Sequence, residues 1–391
     1  MVCPSYIEKI LDRLAACGES AYIVGGSLRD MLLGLPPHDY DIATSALPER
    51  TAEIFSDMRV IETGLKHGTV TVIADGEPVE ITTFRIDGEY TDSRHPDSVS
   101  FTDDITKDLS RRDFTVNAMA YNPAHGLIDP FGGREDIEAK RLRAVREPTL
   151  RFGEDALRIM RAYRFSAQLG FDIEPQTLEA TAKCAEGLSH IARERIGSEF
   201  IRLITSPYPQ RALELMKSHG IFKYVFKDYT PSRQLTSLIE ALPSKDTLRL
   251  ALLLSDTDEE WARAHLRELR CSGKQITGVL ASLRGAQMKI ETDTDARRLL
   301  AVTGIYAADA ARLSEVLRIS PEGAAEITER QINTPCSLRD LKINGKDLAL
   351  MGIKGKAIGQ TLSSLLARVI DDPAINDRDT LLRMAKEIIK I

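Results

Sequence analysis

The apolar positions in the first third of the chain do not keep one period. Residues 7–16 carry Ile, Leu and Ala at helical spacing, and residues 21–24 form a short apolar run that stops at Gly25-Gly26. Residues 28–33 return to helical spacing, and residues 40–43 read as a short strand. Between residues 67 and 85, two runs rich in Val, Ile and Thr flank Asp75-Gly76, a tight-hairpin dipeptide. Pro78 has no N–H to donate, so the paired stretch is expected to begin beyond it. From Glu154 the pattern becomes helical, with apolar stripes over 156–169, 191–204 and 211–225 and on to the C-terminus. Pro207 and Pro209 mark a boundary. The pattern predicts an α/β head followed by a long helical remainder.

Composition adds limits. The 391 residues allow two to four compact units, and 43% apolar residues supply an ordinary core. No run approaches the ~20 apolar residues of a membrane helix, and the first residues lack the order of a signal peptide. The five cysteines, Cys3, Cys17, Cys184, Cys271 and Cys336, are scattered without a CxxC, which fits a reducing cytosol and a cytoplasmic location rather than a disulfide framework. The net charge of −6 does not advertise nucleic-acid binding, but placement matters more than the sum. Arg141, Arg143, Arg146, Arg151, Arg158, Arg161 and Arg164 crowd one stretch, either as a phosphate-binding face or as a solvated helix surface. Oligomeric state is left open.

The candidate chemistry begins with Asp39-Tyr40-Asp41. On a strand, residues i and i+2 share a face, so both carboxylates would reach one hard cation. Mg²⁺ takes one or two carboxylates plus substrate phosphates, and a pair of such ions can activate a hydroxyl and steady a leaving pyrophosphate. Taken alone, Asp-x-Asp is as easily a surface turn. Upstream, Gly25 and Gly26 enter a helix, where backbone N–H groups can face an anion, with Arg29 one turn further in. The same glycines would also suit a tight turn with no ligand. Glu80, in a β-branched run, is either the solvent face of an edge strand or a third acid beside Asp39 and Asp41.

These segments resemble a family. Gly25-Gly26-Ser27-Leu28-Arg29-Asp30, Leu32-Leu33-Gly34 and Asp39-Tyr40-Asp41-Ile42-Ala43-Thr44 are similar to the first motif of the class II CCA-adding enzyme and bacterial poly(A) polymerase family. Arg111-Arg112-Asp113-Phe114-Thr115-Val116-Asn117-Ala118 resembles the second, and Asp129-Pro130-Phe131-Gly132-Gly133 with Asp136 the third. Glu154-Asp155-Ala156-Leu157-Arg158 with Arg161-Ala162-Tyr163-Arg164-Phe165 resembles the fourth, and Glu194-Arg195-Ile196 with Glu199-Phe200 the fifth. All occur in family order. The resemblance implies an α/β nucleotidyltransferase head with a mixed β-sheet (residues 1–145), then an all-α neck (146–205), body (206–325) and tail (326–391). It implies Asp39 and Asp41 as Mg²⁺ ligands and Glu80 as the third catalytic carboxylate. Gly25, Gly26, Arg29, Arg111, Asp113, Asn117, Asp155, Arg158, Arg161 and Arg164 are the expected nucleotide-binding residues, with tRNA as partner and CTP and ATP as substrates. The expected activity is template-independent CCA addition to tRNA. The alternatives are an enzyme adding only CC or only A, or a poly(A) polymerase.

The fourth motif has a physical logic. Asp155, Arg158 and Arg161 recur every three residues, which on a helix gives a shared face. A carboxylate only accepts and a guanidinium only donates. Cytosine and adenine both present an amino donor beside a ring-nitrogen acceptor, whereas guanine and uracil reverse the order. Asp155 with Arg158 would therefore admit C and A. The other reading is an ordinary ion pair between Asp155 and Arg158 on one helix. Residues 86–99 are polar, with Gly88 and Pro96, and read as a mobile loop or a mere connector. In the family the equivalent loop is needed for the terminal A, and Asp87, Tyr90, Asp92, Arg94 and Pro96 match its spacing. Glu194, Arg195 and Glu199 read as buttresses of the site. Lys342, Lys346, Lys354 and Lys356 lie among glycines, suited either to tRNA phosphates or to a plain helical cap.

Overall fold

The computed structural model describes residues 3–37, 39–61, 64, 68–88 and 99–389, which divide into two compact units, Met1–Thr230 and Pro231–Ile391. In the first unit, α1 (Ser5–Ala16) buries Ile7, Ile10, Leu11 and Leu14 as one helical stripe. β1 (Ala21–Val24) is buried along its whole length and runs straight into α2 (Gly25–Leu32). The helix begins at the glycines, three residues ahead of where apolar spacing places it, because Gly25 takes a φ of +74° that turns the strand without a linker.

β2 (Asp41–Thr44) and α3 (Pro48–Ile54) precede β3 (Arg59–Ile61), β4 (Thr69–Ala74) and β5 (Glu77–Thr83). The β4–β5 turn has positive φ at both Asp75 and Gly76, as a two-residue hairpin turn of this hand requires. The expectation for Pro78 is corrected: it lies inside β5, in register with Ile73. Its ring nitrogen faces the β2 side, where pairing starts only at Glu80 opposite Asp41, so no ladder bond is lost. β6 (Arg85–Asp87) pairs with β7 (Val99–Phe101), so the ends of the polar 86–99 segment are strand rather than loop. Asp87 pairs with Val99; Tyr90, Asp92, Arg94 and Pro96 lie outside the described residues.

α4 (Ile105–Ser110), β8 (Ala120–Asn122), β9 (Gly126–Ile128), α5 (Gly133–Glu138) and β10 (Arg141–Leu142) complete the head. Its sheet has seven strands in the order β3-β4-β5-β2-β1-β8-β9, with β2–β5 parallel and the other neighbours antiparallel. The mixed sheet is as expected. Tyr22, Val24, Ala43, Phe84, Leu109 and Ala120 pack together on it. α6 (Pro148–Glu154), α7 (Leu157–Leu169), the short β11 (Asp172–Ile173), α8 (Pro175–Lys183) and α9 (Arg193–Ile204) follow, and α7 packs against α9.

The second unit is helical. One core gathers Leu299, Leu300, Ala307, Ala310 and Ala311, and another gathers Leu341, Ile343, Leu348, Leu365, Val369 and Leu381. The buried Arg297 guanidinium donates to the carbonyls of Ile370 (2.6 Å) and Asp371 (3.1 Å), satisfying the C-terminus of the helix Lys356–Asp371. Among the described residues no helix is long and apolar enough to cross a membrane.

Candidate active site

A cavity of about 740 Å³ in the first unit is lined from the head by Gly25, Gly26, Arg29, Asp39, Asp41, Arg111, Arg112, Asp113 and Asn117. From the helices come Asp155, Leu157, Arg158, Arg161, Arg164, Phe165, Gln168, Arg195 and Arg202. Every predicted nucleotide-binding residue therefore reaches one hollow, and so do both predicted metal ligands. Glu80 does not line it: it is exposed, although it stands beside Asp41 across the β2–β5 ladder.

The two aspartates arrive differently from expectation. β2 starts at Asp41, and Asp39 lies before it in a bend, exposed, so strand alternation does not explain their approach. Pro36 and Pro37 withhold N–H groups just upstream, and the pairing of β2 with β1 and β5 starts at Asp41. Burial pushes the Asp41 carboxyl up to about 6; Asp39 and Glu80 add to the rise, and the Arg112 guanidinium opposes it. A Cβ built on Gly25 would stand 3.2 Å from Arg112 Nη1 and 3.5 Å from Asp41 Oδ2, so the glycine keeps open the space beside them. Crowded hard-oxygen donors whose charges repel are a fit for a divalent cation. Among the described residues no three metal-ligating side chains converge.

Asp113 is the hub of the middle section. It accepts from Arg161 Nε at 2.7 Å and Nη2 at 2.5 Å, and from Asn117 Nδ2 at 3.2 Å. Arg29 Nη1 in turn donates to Asn117 Oδ1 at 2.8 Å. Burial raises the Asp113 carboxyl, but Arg161, with Arg158 and Asn117, outweighs it and holds the group at about 2. The Phe165 ring gathers guanidinium groups, with Arg164 at 3.8 Å, Arg161 at 5.1 Å and Arg29 at 5.4 Å from its centroid. Glu199 binds Arg164 Nε at 2.6 Å, the buttress expected of it.

At the far end the helical reading of the fourth motif is corrected. Asp155 is not on a helix. It sits extended between α6 and α7, where its Oδ1 accepts from Leu157 N at 3.0 Å and caps the new helix. Nor does it pair with Arg158: its Oδ2 meets Arg195 Nη2 at 3.3 Å. Arg158, 9% exposed, donates through Nη1 to Glu154 (2.7 Å) and the Arg151 carbonyl (3.1 Å), and through Nη2 to the Arg111 carbonyl (3.0 Å). Its Nε–H and second Nη2 hydrogen have no partner among the described residues. The arginine-rich stretch also divides. Arg141 and Arg143 bind buried Asp136, and Arg158, Arg161 and Arg164 line the cavity.

Three family models tile the chain: the poly A polymerase head domain over residues 21–143, a probable RNA and SrmB-binding site of polymerase A over 170–232, and a putative tRNA nucleotidyltransferase domain 2 over 243–385. A CCA-adding enzyme of Leuconostoc citreum is 36% identical, covering 98% of this chain and 96% of its own. One of Limosilactobacillus fermentum is 38% identical, covering 97% and 96%. The chain belongs to the CCA-adding enzyme family. The crystal structure of Bacillus stearothermophilus CCA-adding enzyme in complex with CTP superposes with a TM-score of 0.86 at 32% identity, over 100% of this chain and 98% of that one. The fold is thus that of the CCA-adding enzymes: a mixed-sheet head followed by helices. The nucleotidyltransferases to which CCA-adding enzymes belong are typically metal-dependent.

The lining also includes residues to which sequence alone gives no role in the cavity: Arg112 and Phe165, which stand in the motifs without one, Gln168 and Arg202, and Arg195, expected only as a buttress. A signal existed for two of them. Arg195, Glu199 and Arg202 fall at i, i+4 and i+7 on α9, a charged stripe that had to face something polar. For Arg112 there was none, since sequence alone does not tell it from its neighbour Arg111, and both bind Asp108.

Proposed function

We propose that the chain builds the 3′-terminal CCA of tRNA from CTP and ATP without a nucleic-acid template. The observation that carries this reading is the single cavity joining Asp39 and Asp41 to Asp155 and Arg158. Asp39 and Asp41 would hold Mg²⁺, which supplies charge neutralisation on the triphosphate and acidifies the attacking 3′-hydroxyl. Glu80, beside Asp41 across the β2–β5 ladder, is assigned as the third carboxylate. The first turn of α2 has no side-chain cap, so the Gly25 and Gly26 N–H groups are available to phosphate oxygens, with Arg29 and Arg112 beside them. Asp113 and Asn117 face the ribose, and Arg161 and Arg164 the phosphates. The hydroxyl displaces pyrophosphate from the α-phosphorus, and the chain grows by one nucleotide.

Base choice rests on what each reader has left to offer. Asp155 is pinned by Leu157 and Arg195, so its remaining lone pairs accept from the amino group of C or A. Arg158 presents the Nε–Nη2 edge, two parallel donors. Cytosine answers both with its ring nitrogen and carbonyl, and adenine answers one. Guanine and uracil put a donor where Arg158 donates. Each good base contact gives about 1–3 kcal/mol of discrimination. The exposed Lys342, Lys346, Lys354 and Lys356 are assigned to phosphates of the tRNA elbow, where shape rather than sequence is read.

Arg158→Ala tests the base readers. Misincorporation of U and G relative to C should rise by about tenfold or more. An unchanged ratio removes Arg158 from base choice, whatever happens to the overall rate.

A further inference from the structure

The cavity continues past the groups used so far. α7 and α9 lie side by side with matched contacts along their length: Asp155, just ahead of α7, meets Arg195 at 3.3 Å, and Arg164 meets Glu199 at 2.6 Å. One further turn in the same direction brings Gln168 on α7 and Arg202 on α9, and both line the same hollow. Arg202 is exposed, and its guanidinium has no hydrogen-bond or ion-pair partner among the described residues. Arg195 and Arg164, in contrast, are each held by a carboxylate.

The order of groups along α7 gives this end a meaning. Arg158 stands with the base readers. Three residues on, Arg161 holds Asp113 at the ribose. Next, Arg164 and Phe165 meet Arg29, which enters from the glycine turn. From Arg158 to Gln168 the helix rises ~15 Å, comparable to an extended nucleoside triphosphate. A nucleotide whose base lies at Asp155 and whose phosphates run toward Arg29 and Arg164 therefore points its terminal phosphate at Gln168 and Arg202.

We propose that Arg202, assisted by Gln168, binds the β- and γ-phosphates of the incoming nucleotide, the part that leaves as pyrophosphate. This rests on the assignment of the cavity to CTP and ATP. Such a contact is blind to the base, so it serves every addition alike. A planar guanidinium without an internal carboxylate keeps its fork for two phosphate oxygens.

The test compares CTP with CMP, which lacks those phosphates, by equilibrium binding to the full chain and to Arg202→Ala. The native protein should bind CTP more tightly than CMP. In the variant that preference should shrink about tenfold, inorganic pyrophosphate should compete more weakly by a similar factor, and Arg202→Lys should recover part of both. CMP affinity should not move, which separates the effect from general damage to the fold. An unchanged CTP-to-CMP ratio with weakened tRNA binding would overturn the proposal and make Arg202 an acceptor-strand contact. Failure of the native protein to bind CTP at all would instead strike the functional assignment beneath it.

Discussion

Single residues carry opposing demands in this cavity. Asp41 is raised to about 6 by burial and by Asp39, so the metal-free fold loses stability as pH rises from about 4 to 6, and the loss is complete above that. Asp41→Asn should remove the repulsion and, on the proposed assignment, a Mg²⁺ ligand together. With chelator at pH 8 the variant should melt higher than native protein by a few degrees, and nucleotide addition should fall by about a thousandfold, the equivalent of about 4 kcal/mol. A variant that melts lower and stays active would place Asp41 in a structural role. Asp113 has the opposite sign. Its folded-state carboxyl sits at about 2, below the unfolded value, so its stabilisation is fully present above about pH 4 and is lost as pH falls toward 2. The shift corresponds to about 2 kcal/mol. Denaturant titrations should show Asp113→Asn less stable than native protein at pH 7, with the gap narrowing between pH 4 and pH 2. A gap independent of pH would mean that the Arg161 pair adds nothing by its charge.

Elements show where local sequence speaks and where it does not. The β4–β5 hairpin was legible because Asp75-Gly76 can adopt the positive φ pair that few dipeptides tolerate. The glycine turn into α2 was legible for the same reason. The break at Asp155 was not. Apolar spacing runs on through it, and only the extended backbone at Asp155, capped onto Leu157 N, divides α6 from α7. That break takes Asp155 off the helix face and lets Arg158 turn to Glu154. The partners of these residues lie 40 and 47 positions away, at Arg195 and Arg111, beyond the reach of any local pattern. At the β6–β7 ribbon, Arg85–Asp87 and Val99–Phe101 fix the two ends of the polar segment between them. Deleting residues 87–94 should stop products at CC while leaving the C additions, as read by sequencing tRNA ends. Normal terminal A addition would detach the segment from that step.

At the scale of the whole molecule, the cavity assigned to the nucleotide lies within Met1–Thr230, and Pro231–Ile391 is built around its own helical cores. The family models follow the chain across both units, so the likeness extends well past the catalytic motifs. On the proposed assignment, one protein cavity adds C, C and then A with no template. The direct measurement supplies purified protein with Mg²⁺, CTP and ATP, and with tRNAs ending before the CCA, after its first C and after its second. Sequencing the product ends should show every substrate completed to CCA and no further growth. Runs of A, products halted at CC, or extension only of the tRNA already ending in CC would contradict it.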